Sequence, residues 1–322
     1  MNKILLKGTD LQISPVALGT DSYGLLTNEE ESFSLLDEFF SLGGNLLDTA
    51  LIYSDWVPGE KSRSEKLLGR WMKKRGRRDD VIISTKGSHP DFATMNVHRL
   101  SKADIEGDMD KSLTHLGTDY VDIYWLHRDS EELPVGEIMD TLGGLVKAGK
   151  ARYIGVSNWT NRRIAEANEY AENNNLPFIS GSQIQYGIAE GIKEMGDPTL
   201  VLMNDEEYAF FKKTKIPVFA FESQSKGFYS KLDLLGLEEL SAKKAYARFM
   251  TEKNIKRYDV IKALSEKYSV SVAEIVVATH CSNDDFQTIP IVGCKNSAHL
   301  QSSVAGAELK LTQDEVYSVL NV

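Results

Sequence analysis

Cysteine is nearly missing from this chain: 322 residues carry only Cys281 and Cys294. That excludes a disulfide framework and suits a reducing compartment. Basic charge is also short. Lys and Arg number 37 against 47 Asp and Glu, a formal net charge of −10, so the basic footprint of a nucleic-acid binder is lacking. An anionic ligand stays open wherever backbone amides and a few lysines gather. No run approaches the ~18 apolar residues of a membrane span, and the opening MNKILLKGTDLQ is too short an apolar stretch for a secretion signal. No G-x-G-x-x-G follows the first β-like run, which counts against a Rossmann dinucleotide fold. The expectation is a soluble cytoplasmic protein with no nucleic-acid, membrane or metal partner.

What is present is ordinary globular composition, 42% hydrophobic and 26% charged, arranged with a repeat. After a hairpin-like ILLKGTDLQIS come eight β-rich runs: VALGT (16–20), NLLDTA (45–50), VIISTKG (81–87), YVDIYWLH (120–127), ARYIGVSN (151–158), ISGSQIQYG (179–187), IPVFAFES (216–223) and TIPIVGC (288–294). Amphipathic helical stretches lie between them, such as EEESFSLLDEFFSLG, where Phe33, Leu36, Phe39 and Phe40 recur at helical spacing. Gly43, Gly76, Gly117 and Gly149 close four of these stretches as C-caps would. Alternating β and α units imply crossovers and a parallel sheet. Eight of them predict an α/β (β/α)₈ TIM barrel, one domain over 1–322 with an N-terminal β-hairpin and a C-terminal helix, rather than an open sheet with a second domain. The stretch 223–250 shows no strand and reads as an extended βα loop, where such barrels place function.

Barrel chemistry gathers at the C-terminal ends of the strands. Those ends carry Asp48, with Tyr53 just beyond it, then Lys86, His127 with Arg128, Ser157 with Asn158, Gln183, and Cys294 with Lys295. Singly, each has a plainer role: helix cap, packed loop tyrosine, solvated rim lysine, core histidine. Jointly, Asp48, Tyr53, Lys86 and His127 come from three successive strand ends and converge on one rim. A carboxylate ending a buried strand needs a partner, and Lys86 on the next strand end supplies one. A nearby ammonium favours the phenolate and is expected to lower the Tyr53 pKa, improving it as a proton donor. His127 would orient a substrate oxygen. None of the four is a redox group, so electrons must come from a cofactor.

With those residues in view, the chain resembles the aldo-keto reductase superfamily. DTALIYSDW resembles its D-T-A-x-x-Y segment, ISTKG its strand-three lysine and DIYWLHRD its strand-four histidine. GVSN and SQIQY resemble the segments that hold the nicotinamide, and IPIVGCKN the one near the adenosine end. The resemblance implies a barrel that binds NADPH in extended form and reversibly moves a hydride between nicotinamide and a carbonyl carbon. By it, Tyr53 is the proton donor, Asp48 and Lys86 tune it, and His127 orients the carbonyl. Ser157, Asn158 and Gln183 would hold the carboxamide, with Thr20, Asp48 and Gly293 lining the cofactor. Phe221 stands where a stacking tyrosine is common, and the following segment, with Ser223, Gln224 and Lys226, departs from the family's A-Y-S-P-L. Lys295 would meet a 2′-phosphate, with His299 and Ser303 where Arg or Gln and Asn are common, so NADP is favoured over NAD.

The expected partner is a small carbonyl or alcohol, an aldehyde, ketone or sugar-like molecule. Trp56, His89, Trp125, Arg128 and Trp159 are expected to border its pocket, with Trp56 and Trp159 stacking on a ring and Arg128 meeting an anionic group. The chain stops at Val322 without the long C-terminal loop of some relatives, which suggests an open site. Two further readings remain. One is a Schiff-base aldolase through Lys86, which leaves Ser157, Asn158 and Gln183 unexplained. The other is a cofactor-sensing subunit of the same fold without turnover.

Overall fold

The computed structural model describes residues 1–322. A short antiparallel hairpin, β1 (Ile4–Leu5) and β2 (Gln12–Ile13), precedes eight parallel strands: β3 (Ala17–Gly19), β4 (Leu46–Asp48), β5 (Ile82–Gly87), β6 (Val121–Leu126), β7 (Ala151–Ser157), β8 (Ser182–Gln185), β9 (Val218–Phe221) and β10 (Thr288–Val292). They close in the order β10-β3-β4-β5-β6-β7-β8-β9, the (β/α)₈ barrel the sequence predicts. Helices α1 (Glu29–Ser41), α2 (Arg63–Arg75), α3 (Lys102–Leu116), α4 (Val135–Lys147), α5 (Asn161–Asn174) and α6 (Asp205–Thr214) fill the connections in turn. Between β9 and β10 lie α7 (Phe228–Ser241), α8 (Glu252–Tyr268) and α9 (Val272–Cys281), and α10 (Ser297–Glu308) and α11 (Gln313–Leu320) end the chain. No helix is long and apolar enough to cross a membrane.

Strand alternation sorts side chains between two environments. Leu47, Ile83, Tyr124 and Ile154 face outward into the large apolar layer beneath the helices. Ala17, Leu46, Ile82, Ile123, Trp125, Phe219 and Ile289 face inward, and Leu6, Leu11 and Ile13 of the hairpin pack against them. The hairpin therefore plugs the N-terminal end of the barrel with apolar side chains. Higher up, the same inward parity carries Asp48, Ser84 and Lys86, so the interior turns from apolar to polar towards the C-terminal ends.

Helix starts follow their caps. Asn28 and Glu31 form a capping box at α1, Ser271 and Glu274 another at α9, and Thr312 and Glu315 a third at α11. Each such cap is worth about 1 kcal/mol. Gly43, Gly76, Gly117 and Gly149 all take positive φ at helix ends, as their spacing predicts. The stretch 223–250 differs from the extended loop expected of it. It holds α7, which buries Phe228, Tyr229, Leu232 and Leu240 against α8 and α9. Gly236, at φ 76° inside α7, breaks the apolar period and hid the helix from sequence reading.

Trp125 fits the interior only because β7 offers no side chain beside it. A Cβ on Gly155 would sit 2.3 Å from the Trp125 ring. Gly155→Ala should therefore cost roughly 1–3 kcal/mol through overpacking. Urea unfolding checks this: the midpoint should fall with little change in slope, and an unchanged midpoint would show that the ring can move aside.

Candidate active site

The end of β4 brings Asp48 into the barrel in register with Ser84 of β5, and Lys86 sits one inward step further along. Lys86 and Asp48 are each about 1% exposed, with Nζ 2.7 Å from Oδ2. Nζ also donates to the Thr49 carbonyl at 2.8 Å and to the Tyr53 hydroxyl at 2.8 Å. Asp48 Oδ1 accepts from Ser84 Oγ at 3.0 Å and from Gln183 Nε2 at 3.0 Å. Below it, Trp125 Nε1 donates to Ser84 Oγ at 2.6 Å. The buried carboxylate thus has every nearby donor aimed at it, which is what burying a charge requires.

Tyr53 is half-buried, with its hydroxyl 3.5 Å from Asp48 Oδ2. Burial pushes this phenol well above its ordinary range, and Asp48 adds to the rise. This corrects the lowered pKa expected from the sequence. The Lys86 ammonium is itself desolvated, which pulls it down against the pull of Asp48, and the carboxylate offsets its charge at the phenol. Tyr53 is therefore fully protonated at neutral pH. His127 follows β6. Burial, with Arg128 and Lys86 nearby, holds it well below its ordinary range, so its ring is neutral, and its buried Nδ1 has no partner. Its ring centroid lies 6.0 Å from that of Tyr53.

Of the residues expected near the nicotinamide, Asn158 adopts φ 57°. There its Nδ2 donates to Ser157 Oγ at 3.1 Å and its Oδ1 accepts from the Val201 amide at 3.2 Å. Gln183 joins them through the pairing of β7 and β8. Thr20 lies alongside, its hydroxyl already engaged with the Asp48 carbonyl and Ser64. On the far side, Ser223 Oγ donates to the Ile291 carbonyl at 2.8 Å and Gln224 Nε2 to Ser303 Oγ at 3.2 Å. The segments after β9 and β10 are thereby joined, with Phe221 half-buried at the end of β9 and Gly293, Lys295 and His299 exposed. Lys226 is exposed and faces Glu222 at 3.7 Å.

The five residues expected to border the substrate part company. Trp56 is 48% exposed and forms an edge-to-face chain at the mouth with Tyr53, 6.4 Å between centroids, and with Phe92, also 6.4 Å. His89 extends it, 5.3 Å from Phe92 and 4.8 Å from His127. Arg128 sits partly buried beside this group. Trp125 and Trp159 do not line it. Trp125 is inward but one layer too deep, under Ser84. Trp159 is buried beneath the helices and donates Nε1 to the Arg128 carbonyl at 3.3 Å.

Sequence reasoning missed three groups. Ser84 shares the inward parity of Lys86, a signal that was legible. Phe92 lies in a loop without periodicity. Arg248 carried no signal, since its segment shows no pattern. Its side chain is 12% exposed, 3.7 Å from Glu222, and both Nε and NH2 are buried without partners. A Cβ on Gly191 would lie 2.6 Å from its Nε, so the glycine makes room for the guanidinium. Glu222, at φ 50°, also accepts from Gln185 Nε2. Paired amide groups at one end and underused cations at the other fit a dinucleotide's carboxamide and phosphates.

The match to known proteins agrees with this geometry. Residues 15–321 match the model of the aldo/keto reductase family, and the chain belongs to that family. It is 24% identical over 331 residues to an aryl-alcohol dehydrogenase of Pestalotiopsis microspora, covering 99% of this chain and 81% of the relative. Norsolorinic acid reductase stcV of Emericella nidulans is 25% identical over 334 residues, 99% and 80% of the two chains. An aryl-alcohol dehydrogenase [NADP(+)] of Phanerodontia chrysosporium is 34% identical over 193 residues, 54% and 49% of the two. The protein is accordingly an NAD(P)-dependent oxidoreductase acting on small carbonyl or alcohol compounds.

Buried histidines make stability depend on pH: His127, described above, and two more. Burial lowers His89 and His280 to about 4 from an ordinary 6.5. Below pH 6.5 the unfolded chain takes up protons that the folded chain refuses. Stability present above pH 6.5 should fall as pH drops towards 4, by on the order of 3 kcal/mol for each histidine. Denaturant titrations at pH 7 and 5 test this, and His280→Gln should flatten the dependence.

Proposed function

We propose that residues 1–322 act as one catalytic domain, a cytoplasmic NADP-dependent reductase of carbonyl compounds, with Tyr53 as proton donor. The observation that carries this is the Lys86 ammonium held 2.8 Å from the Tyr53 hydroxyl and 2.7 Å from Asp48. When bound, the nicotinamide cofactor supplies the hydride for the carbonyl carbon. Tyr53 gives its phenolic proton to the carbonyl oxygen. The phenolate left behind lies against the ammonium, which stabilises it, and Asp48 keeps that ammonium charged and aimed. Neutral His127 holds the oxygen by a hydrogen bond before the proton moves.

Ser157, Asn158 and Gln183 are assigned to the carboxamide, and Phe221 to the ring face. Gln183 spends its Nε2 on Asp48, so its Oε1 is the group offered to the amide. Thr20, beside Asp48, is assigned to the nicotinamide end; Arg248 and Lys226 are assigned to the pyrophosphate, with Ser223, Gln224 and Gly293 around it, and His299 and Ser303 to the adenosine end. Lys295, exposed after β10, supplies a cation for the 2′-phosphate, and one relative carries NADP(+) in its name. Relatives named for aryl alcohols, together with the Trp56, Phe92 and His89 rings at the mouth, support a flat aromatic substrate over a sugar. The aldolase reading fares poorly, because Lys86 Nζ is already engaged by Asp48, the Thr49 carbonyl and the Tyr53 hydroxyl, leaving no open side for a substrate carbonyl to form a Schiff base. The sensor reading leaves the complete set of Asp48, Tyr53, Lys86 and His127 without a purpose. Two free cysteines, both pushed up to about 12 by burial, suit a reducing compartment.

Tyr53→Phe should lower kcat/KM for benzaldehyde with NADPH by ~10²–10⁴-fold, the range for losing a general acid. Fluorescence titration should meanwhile give an NADPH Kd within about twofold of wild type. Normal turnover by the variant would remove Tyr53 from the acid role. Separately, Lys295→Ala should weaken NADPH about tenfold and leave NADH nearly unchanged, as expected for one charged contact to the 2′-phosphate; equal losses would place that phosphate elsewhere.

A further inference from the structure

Arg128 follows His127 directly at the mouth of the barrel. Its NH1 donates to the His127 carbonyl at 2.8 Å and its Nε to Thr199 Oγ1 at 3.3 Å. NH2 donates to nothing, and no carboxylate lies within ion-pair distance of the guanidinium. The nearby acid, Asp197, is close enough for its charge to be felt. Its Oδ1, however, is taken by the amide and hydroxyl of Thr199, at 2.8 and 2.7 Å. An arginine cannot shed its proton to escape this setting. A partly buried guanidinium held on two sides, with its remaining edge open and no ion-pair partner, is a ready receptor for an anion.

The position decides what that anion is. Arg128 is near enough to Tyr53, His127 and His89 that its charge acts on all three. Trp159 fixes its backbone from below through Nε1, and the 196–199 loop holds Nε from the side, so the free edge of the fork is presented rather than waving in solvent. The planar fork matches a carboxylate in two parallel hydrogen bonds.

We infer that Arg128 selects the substrate of the reductase proposed above: a carbonyl compound that also carries a carboxylate, which the guanidinium receives while the carbonyl oxygen meets Tyr53 and His127. With the aromatic rim, the best fit is an aryl aldehyde bearing an acid group. The role is one of recognition, and Arg128 takes no part in moving the proton or the hydride. The inference rests on the proposed reduction, but its binding half is separable from it.

The test compares 4-formylbenzoate with methyl 4-formylbenzoate, which has the same ring and aldehyde without the charge. Wild-type enzyme with NADPH should favour the acid by about tenfold or more in kcat/KM. Arg128→Gln should erase that preference by raising KM for the acid, about tenfold to a hundredfold for the loss of hydrogen bonds to a charged group. Any loss on the ester should stay well below the loss on the acid, so that the acid-to-ester ratio of kcat/KM is the readout; NADPH affinity should hold, and Arg128→Lys should restore part of the preference by charge alone. Equal use of acid and ester by wild type, or equal losses on both in Arg128→Gln, overturns the assignment. Calorimetric titration of terephthalate into the NADP⁺-saturated protein gives the second readout. Binding by wild type and its loss in Arg128→Gln supports the site even if no aldehyde is reduced, in which case the reductase reading alone fails. No binding to wild type sinks the carboxylate site.

Discussion

The ion pair between Lys86 and Asp48 carries the architecture of the site. Two charges inside a barrel lose most of their hydration, and the loss is tolerable only when each is surrounded by complementary groups. Asp48 meets that demand with an ammonium, a hydroxyl and an amide. Lys86 meets it with a carboxylate, a carbonyl and a phenol. Because those partners come from β4, β5, β8 and the loop after β4, the pair adds a directional tie between strands otherwise held by backbone pairing and apolar packing. The phenol becomes a member of the network through the same geometry, so holding Tyr53 in place and setting a cation beside its oxygen are one arrangement.

The barrel interior makes that arrangement affordable in another sense. Its lower half is sealed by the hairpin and by Leu46, Ile82, Ile123 and Phe219, and its upper half is polar. Trp125 sits at the boundary, apolar ring below and indole N–H above, turning packing into a hydrogen bond that orients Ser84 towards Asp48. Gly155 leaves the space for that ring. A substitution two layers beneath the chemistry would thus reach Asp48 through a tryptophan and a serine.

Much of this was legible in the sequence, for identifiable reasons. The strands were readable because each is a compact apolar run between glycine-capped helices, and Asp48, Lys86 and His127 were readable because charge at the end of such a run is conspicuous. Inward parity would have revealed Ser84 and would have put Trp125 beneath the site rather than beside it. The burial of Trp159 was not readable, since a tryptophan beyond a strand end looks the same whether it faces the mouth or the helices. The direction of the Tyr53 shift depended first on how deeply the phenol is buried and then on its nearness to Asp48, and only a folded structure gives either. Arg248 is the hardest case: its importance lies in two unpartnered N–H groups, and an absence of partners leaves no mark on a sequence.

The hairpin plug has one more consequence. A barrel closed at its base is a cup, so hydride donor, carbonyl compound, proton and water all enter and leave through the same opening. Drying such a site requires cover on one side only, and a flat ring lying across Trp56 and Phe92 would itself act as the stopper. Substrates that fit the rim would then improve the chemistry by excluding water as well as by binding, while small ones that leave the rim uncovered would react in a wetter, weaker field.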